Sequence, residues 1–173
     1  MTDKKTLANR YLAALNDELG WNAVIDEESE VSFPSESGLR VWLSNSAPSD
    51  PEYLRMFTGV RLSQLLKQVG SPLDVQRIDH QALLIAAAAI STRRTKGTKV
   101  VAIPADDQVV FSVEVIAAGP DRMPSVELLS GILPRMRSML LWALRNLRED
   151  FVLADLEIES AVDRADISGR FEL

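Results

Sequence analysis

The segment RRTKGTK, residues 93–99, concentrates positive charge in a chain whose formal net charge is −6. A phosphate-binding loop needs two glycines that bracket a turn, and a lysine followed by serine or threonine where a helix begins. Here the single Gly97 follows a predicted helix and precedes a predicted strand, so helix N-terminal amides are not directed at a ligand. The segment therefore indicates a solvated connector, with contact to an acidic partner or a phosphate as the alternative.

Nucleic-acid binding is a second function that these cations could serve. At about 100° per residue, three further arginines fall together on one face of a later predicted helix. The cations in question are Arg93, Arg94, Lys96, Lys99, Arg137, Arg145 and Arg148. Nucleic-acid binding depends on cations that meet phosphates, and the acidic balance of the whole chain opposes it at long range. Nucleic acid is therefore not an expected partner.

The residues that usually carry catalysis or bind metals are sparse. His80 is the only histidine, and the neighbouring Asp79 does not face it on a helix. The chain has no cysteine, so thiolate nucleophiles and cysteine metal sites are excluded. The acidic run from Asp26 to Glu30 lacks the glycine of a calcium-binding loop. We therefore expect no enzymatic activity, no cofactor, and no catalytic or metal-binding residue.

Carboxylates leave one alternative function open. Asp106, Glu114 and Glu127 are separated along the chain, yet a fold could bring such side chains into a pocket between a sheet and a helix. The chain would then be a ligand-sensing regulator or a small enzyme. A ligand that binds only the folded state would raise its stability, so a thermal-shift screen separates this alternative from protein binding.

Large apolar side chains are the better candidates for recognition, because aromatic and flexible apolar residues at partly exposed positions are typical binding anchors. The competing explanation for each of them is that it completes the core. The predicted partner-binding residues are Trp42, Tyr53, Met56, Phe57, Leu141 and Trp142.

The elements that must position these residues begin with an amphipathic helix over residues 4–19, which Gly20 ends. Three short segments rich in valine and aromatics follow between residues 22 and 44 and predict an antiparallel meander. The segment 53–62 is ambiguous, because Asp50-Pro51-Glu52 could open a helix. Its Tyr53, Phe57, Thr58 and Val60 favour a strand, which is the assignment we prefer.

The second half of the chain predicts a buried helix, a hairpin and a long helix. Ser71-Pro72 opens a helix that becomes apolar on every side from residue 82 to residue 90. Residues 99–117 predict two strands around a polar turn. From Ser125 the apolar spacing predicts a long helix, which Pro134 should kink or split in two.

Length and composition predict one domain over residues 1–150 and an acidic tail over residues 151–173. The tail carries six acids against two arginines with weak periodicity, and we expect it to be loosely held. One hypothesis is that it folds back over the arginine face as an internal plug. The longest apolar run, residues 82–90, is short of the roughly 20 residues that a membrane span needs. A soluble protein without membrane contact is therefore expected, and the absence of cysteine indicates the reducing setting of the cytoplasm.

The order of elements, with GTKVVAIPADDQVVFSVEV running into SVELLSGILPRMRSMLLWAL, resembles the bacterial YbjN-like family and the related type III secretion chaperone-like fold. The resemblance covers about residues 6–149. It implies an α+β domain of order α-β-β-β-α-β-β-α, with an antiparallel sheet packed against helices, commonly a homodimer and without catalytic residues. Secretion chaperones hold a client segment in extended form, and YbjN-like proteins are described as regulators. The sequence therefore predicts a protein- or peptide-binding module.

Overall fold

The computed structural model describes residues 4–35, 38–44, 53–61, 80–116 and 123–168, and within these ranges the side chains of Tyr53, His80, Arg148 and residues 155–168 lie outside the description. The elements in chain order are α1 (Lys4–Ala13) with a π-helical turn (Ala14–Glu18), β1 (Val24–Ile25), β2 (Val31–Pro34), β3 (Arg40–Ser44), β4 (Tyr53–Arg61), α2 (His80–Arg94), β5 (Thr98–Ile103), a 3₁₀ turn (Pro104–Asp106), β6 (Gln108–Ile116) and α3 (Val126–Ser168).

The described strands form one six-stranded sheet in the order β1-β2-β3-β4-β6-β5. Every neighbouring pair is antiparallel. The predicted hairpin is present as β5 and β6, and its turn is closed by Asp107 in the left-handed conformation, with φ of 53°. Strand β6 lies between β5 and β4 and pairs with β4 along its full length. The predicted α+β class with an antiparallel sheet is confirmed.

Four strands rather than three precede the second helix, because the ambiguous segment at 53–62 is strand β4 (Tyr53–Arg61). Its side chains alternate, with Leu54, Met56, Thr58 and Val60 buried and the residues between them partly exposed. A period of two residues is the signature of a strand with one face against the core. Tertiary burial thus settles the assignment that the helix-opening signal at residues 50–52 left ambiguous.

One face of the sheet, the inner face, forms the core with the three described helices. Tyr11 and Leu15 from the first helix and its π-helical turn are fully buried there, as are Phe33 and Phe111 from the sheet. The stripe that predicted the long helix is buried as well, at Leu129, Leu133, Met136, Leu140 and Leu147. The opposite face of the sheet is the outer face.

Helix α3 is continuous through Pro134, so of the two predicted outcomes, a kink or a split in two, the split is wrong. A proline removes one backbone hydrogen bond. Leu133 and Met136 on either side of it are buried in the core and hold the chain in register. The Ser138 hydroxyl donates to the carbonyl of Pro134 at 2.9 Å. Packing of the apolar stripe therefore outweighs the loss of one bond.

The same helix continues to Ser168, where a loosely held tail was expected from residue 151. Phe151 and Ala154 are buried, so the expectation is wrong at the start of this segment. The acidic residues between 155 and 168 lie on the same continuous helix as the arginines, and they cannot fold back over them as an internal plug. The division into a domain over 1–150 and a separate segment over 151–173 stays a prediction.

Strand β5 lies at the edge of the sheet, and a residue of α2 covers its centre. The Thr92 hydroxyl accepts a hydrogen bond from the Val100 N–H at 3.1 Å and donates one to the Val100 carbonyl at 3.0 Å. Edge strands with unpaired backbone groups invite pairing with other chains. The Thr92 side chain takes the place of the missing neighbour strand at this position.

Thr92→Val is expected to lower the free energy of unfolding by about 1 kcal/mol and to promote self-association, because both backbone groups of Val100 lose their partner. Thr92→Ser keeps the hydroxyl and is the matched control. Urea unfolding and light scattering over a range of protein concentrations measure the two effects. Equal behaviour of the valine and serine variants would contradict the role given to this hydroxyl.

Candidate protein-binding surface

The outer face of the sheet carries a row of side chains at matching positions on four strands. Trp42 on β3 lies directly opposite Phe57 on β4. Ser32 on β2 flanks Trp42, and Ser112 on β6 flanks Phe57. Both aromatic residues are partly exposed, whereas both serines are buried. The row is therefore an aromatic pair with small polar neighbours on each side.

Arginine side chains lie over both aromatic rings. The Arg40 guanidinium carbon is 5.9 Å from the ring centroid of Trp42, and that of Arg55 is 5.3 Å from the centroid of Phe57. Arg55 Nε also lies 3.3 Å from the Glu114 carboxylate on β6. Cation–π attraction favours a guanidinium over a ring, and the Arg40 guanidinium also donates to the Ser32 hydroxyl at 3.3 Å. The surface thus offers apolar area together with charged donors.

Further apolar residues lie on the same face towards the β5 edge and the end of β6. Val101 is exposed and pairs with the half-buried Val110, and Ile116 at the end of β6 is also exposed. Aromatic and aliphatic side chains enclosed by charged ones are the usual composition of a protein interface, with an apolar centre and a polar rim. This part of the outer face has the chemistry of a binding surface.

The predicted partner-binding residues of the sheet divide between its two faces. Trp42 and Phe57 lie together on the outer face. Met56 is fully buried on the inner face, so it is a core residue and not a surface anchor. Alternate residues of a strand point to opposite faces, which is why Met56 and Phe57 cannot share a surface. The side chain of Tyr53 lies outside the described residues.

Leu141 and Trp142 belong to a different surface, on α3. Leu141 is partly buried, and Trp142 is 49% exposed. Trp142 lines a cleft of about 480 Å³ together with residues of α3 and of the RRTKGTK segment. The lining residues are Arg94, Lys96, Ser138, Met139 and Trp142. The structure therefore separates the predicted anchors into an outer-face pair and a helix pair.

The RRTKGTK segment connects α2 to β5, and one of its cations is tied to α3. Arg94 donates to the buried carboxylate of Asp150 at 2.5 Å and to that of Glu149 at 2.9 Å. The hydrogen bond to Glu149 is the largest cause that raises the pKa of Arg94. Arg93, Lys96 and Lys99 are exposed, as a solvated connector predicts.

The ion pair between Arg94 and Asp150 is the feature that sequence reasoning missed. Asp150 lies three residues after Leu147 and next to Phe151, so it falls on the apolar stripe of α3. A carboxylate on a buried stripe needs a partner, because an unpaired buried charge is costly. That position is the signal that could have indicated a buried ion pair.

The sequence matches no family model and no curated protein. The solved structures that are similar to it in fold include chains of two complexes. A chain of the HopA1–SchA chaperone–effector complex aligns with a TM-score of 0.53 at 17% identity, covering 86% of this chain and 99% of the other. A chain of the ExsC–ExsE complex aligns with a TM-score of 0.51 at 17% identity, covering 85% of this chain and 96% of the other. The fold is type III secretion chaperone-like.

Nothing in these comparisons supports the YbjN-like part of the resemblance, which stays a prediction. In the part of the chain that the structure describes, no helix is long and apolar enough to cross a membrane. The predicted α+β class, antiparallel sheet and secretion chaperone-like fold are confirmed.

The chaperone-like fold does not bring the alternative carboxylates into one pocket. Glu114 lies on the outer face of β6 beside Arg55. Asp106 lies in the turn before β6, and Gln108, where the strand begins, is already about 20 Å from Glu114 along the strand. Glu127 lines a separate cleft at the start of α3. Among the described side chains, no group of three or more histidines and acids could hold a metal ion.

Arg94→Met is expected to lower the melting temperature by several degrees, because it leaves the Asp150 carboxylate buried without its cation. Lys96→Met, two residues along the same connector, removes an exposed cation and is expected to change the melting temperature little. The double variant Arg94→Met with Asp150→Asn should recover part of the loss. Calorimetric scans of wild type and the three variants measure the melting temperatures. Equal destabilisation by Arg94→Met and Lys96→Met would contradict the role given to the Arg94–Asp150 ion pair.

Proposed function

We propose that this chain is a non-enzymatic, chaperone-like protein that holds a segment of a client protein against the outer face of its sheet. The observation that carries the proposal is the pair of adjacent aromatic residues, Trp42 and Phe57, each with an arginine over its ring. The similar solved structures support it, because one is described as a chaperone–effector complex and both contain two different proteins.

The mode of contact follows from the edges of the sheet. A client strand that added to β5 would need the outward backbone groups of Val100, and Thr92 already occupies them. The other edge, β1, spans only Val24–Ile25. A client held by side chains across the outer face needs neither edge. We therefore assign recognition to apolar client side chains that pack between Arg40 and Arg55.

The oligomeric state that we propose is the one that the sequence resemblance implies, and the cellular location is the one that the absence of cysteine indicates. We propose a homodimer that acts in the bacterial cytoplasm, with the client-binding surface in the domain over residues 1–150. Light scattering at high protein concentration tests the dimer separately from client binding. A strictly monomeric protein would contradict the proposed dimer but not the proposed client-binding surface.

The test of the function combines capture with mapping. The tagged protein is recovered from its native cells at moderate salt, and any protein present at near-equal stoichiometry is identified by mass spectrometry. Hydroxyl-radical footprinting of the purified complex then compares oxidation of Trp42 and Phe57 with and without the client. Protection of both rings is the expected result. A client that leaves both rings as reactive as in the free protein, or no client at all, would overturn the proposal.

A further inference from the structure

We propose that the cleft between α3 and the connector after α2 binds an acidic client segment that carries one large apolar side chain. This inference rests on the proposed function and adds a second contact, on a different surface from the outer-face pair. The cleft has a volume of about 480 Å³, within the range of pockets that bind small molecules and large enough for one aromatic side chain. Its walls combine an apolar floor with two cations.

The apolar floor is made by Met139 and Trp142. Trp142 leaves 49% of its surface exposed, although its neighbour Ala143 is fully buried. A half-exposed indole presents both a broad apolar face and an N–H donor to a partner. The methyl group of Met139 lies so close to Gly97 that a Cβ atom at residue 97 would overlap it. A flexible thioether side chain adapts to the shape of an inserted residue.

One of the cations at the cleft is held in place by the fold. Arg94 and Lys96 line the cleft, and the exposed Arg145 lies one turn beyond Trp142 on α3. The buried Asp150 fixes one nitrogen of the Arg94 guanidinium. The other nitrogen donates to Glu149, whose side chain is 68% exposed. Exposed ion pairs are weak, so a partner carboxylate can take the place of Glu149 at little cost.

The acidic residues on the C-terminal part of α3 do not reach the cleft. Asp155, the first acid of the C-terminal part of α3, lies 13 residues beyond Trp142 on the same continuous helix, which is about 20 Å along the axis. The acids that follow it on α3 are further away still. Charge complementarity with Arg94, Lys96 and Arg145 therefore favours an acidic segment of the client.

The probe is a short synthetic peptide with one phenylalanine flanked by glutamates on both sides. The chain has three tryptophans, Trp21, Trp42 and Trp142, so its ¹H–¹⁵N spectrum has three indole signals. The peptide is expected to shift the Trp142 indole signal in a saturable way. Peptides with serine for phenylalanine, or lysines for glutamates, should have no effect.

Trp142→Ala is expected to weaken peptide binding at least about tenfold. Lys96→Gln should weaken it a few-fold, while Lys99→Gln, which changes an exposed cation on β5, should not. Movement of the Trp42 signal instead, or no movement of any indole, would overturn the inference. So would a Trp142 shift that follows protein concentration without peptide, because a second copy would then occupy the cleft.

The outcomes separate this inference from the proposed function. If a client protects Trp42 and Phe57 but the peptide does not shift the Trp142 signal, the binding role of the cleft is contradicted and the proposed chaperone-like function is supported. If the peptide binds at Trp142 but no client protects the outer face, the binding role of the cleft is supported and the outer face is not the client-binding surface.

Discussion

Tyr11→Ala is expected to lower the free energy of unfolding by about 3–5 kcal/mol, because the ring is fully buried between the first helix and the rest of the core. Tyr11→Phe should leave it unchanged or raise it by about 1 kcal/mol. The phenol oxygen is buried and has no hydrogen-bond partner among the described residues, so its removal relieves an uncompensated desolvation. Urea unfolding of the three proteins measures both effects.

Wild type and Tyr11→Phe are also expected to differ in how the free energy of unfolding depends on pH. Burial raises the pKa of Tyr11 above its ordinary value of about 10. Above that pH the unfolded chain releases the phenol proton while the folded chain keeps it, so stability is lost as pH rises. The slope approaches 1.4 kcal/mol per pH unit, and Tyr11→Phe should lack this contribution. Parallel stability profiles of wild type and Tyr11→Phe between about pH 9 and pH 11 would contradict the burial of this hydroxyl.

The double variant Trp42→Ala with Phe57→Ala is expected to weaken client binding by at least about 100-fold, since two adjacent aromatic anchors are lost. Both rings are only partly buried, so the variant should still fold with the circular dichroism spectrum of wild type. Isothermal titration with the captured client measures the affinity.

Val152→Ala is the control for this second prediction, because Val152 is an exposed apolar residue of α3. Its substitution should leave client affinity unchanged. If the double variant bound the client as tightly as wild type, the outer face would not be the client-binding surface. If it failed to fold, Trp42→Phe and Phe57→Leu, which keep most of the apolar volume, would test the same surface by smaller steps.

Periodicity was sufficient to predict most elements, for a physical reason. The apolar stripe of α3 and the alternation in β2, β3 and β6 follow directly from which side chains the core must bury. Segment 53–61 was harder to assign, because its preceding Asp-Pro-Glu signal and its own β-forming residues favour different structures. Only the core contacts of Leu54 and Met56 decide between them.

The candidate surface was only partly predictable. Trp42 and Phe57 were identified as large side chains on short strands, but their contact depends on the register between β3 and β4. Met56 and Phe57 were both expected to bind a partner, although a strand assignment alone requires neighbours to face opposite ways. Arg94 and Asp150 are 56 residues apart, so their pairing depends on how α2 packs against α3.

The placement of β6 between β4 and β5 has a consequence for the order of events during synthesis. Phe57 on β4 pairs with Ser112 on β6. After Phe57, the ribosome must therefore synthesise 55 further residues before the two can pair. At roughly 5–20 residues per second, ribosomes need about 3–11 seconds for that length. Throughout this interval the nascent β4, with Leu54, Met56 and Val60 on one side, lacks its long neighbour. During this interval the apolar side of β4 is exposed, so the nascent chain is prone to aggregation.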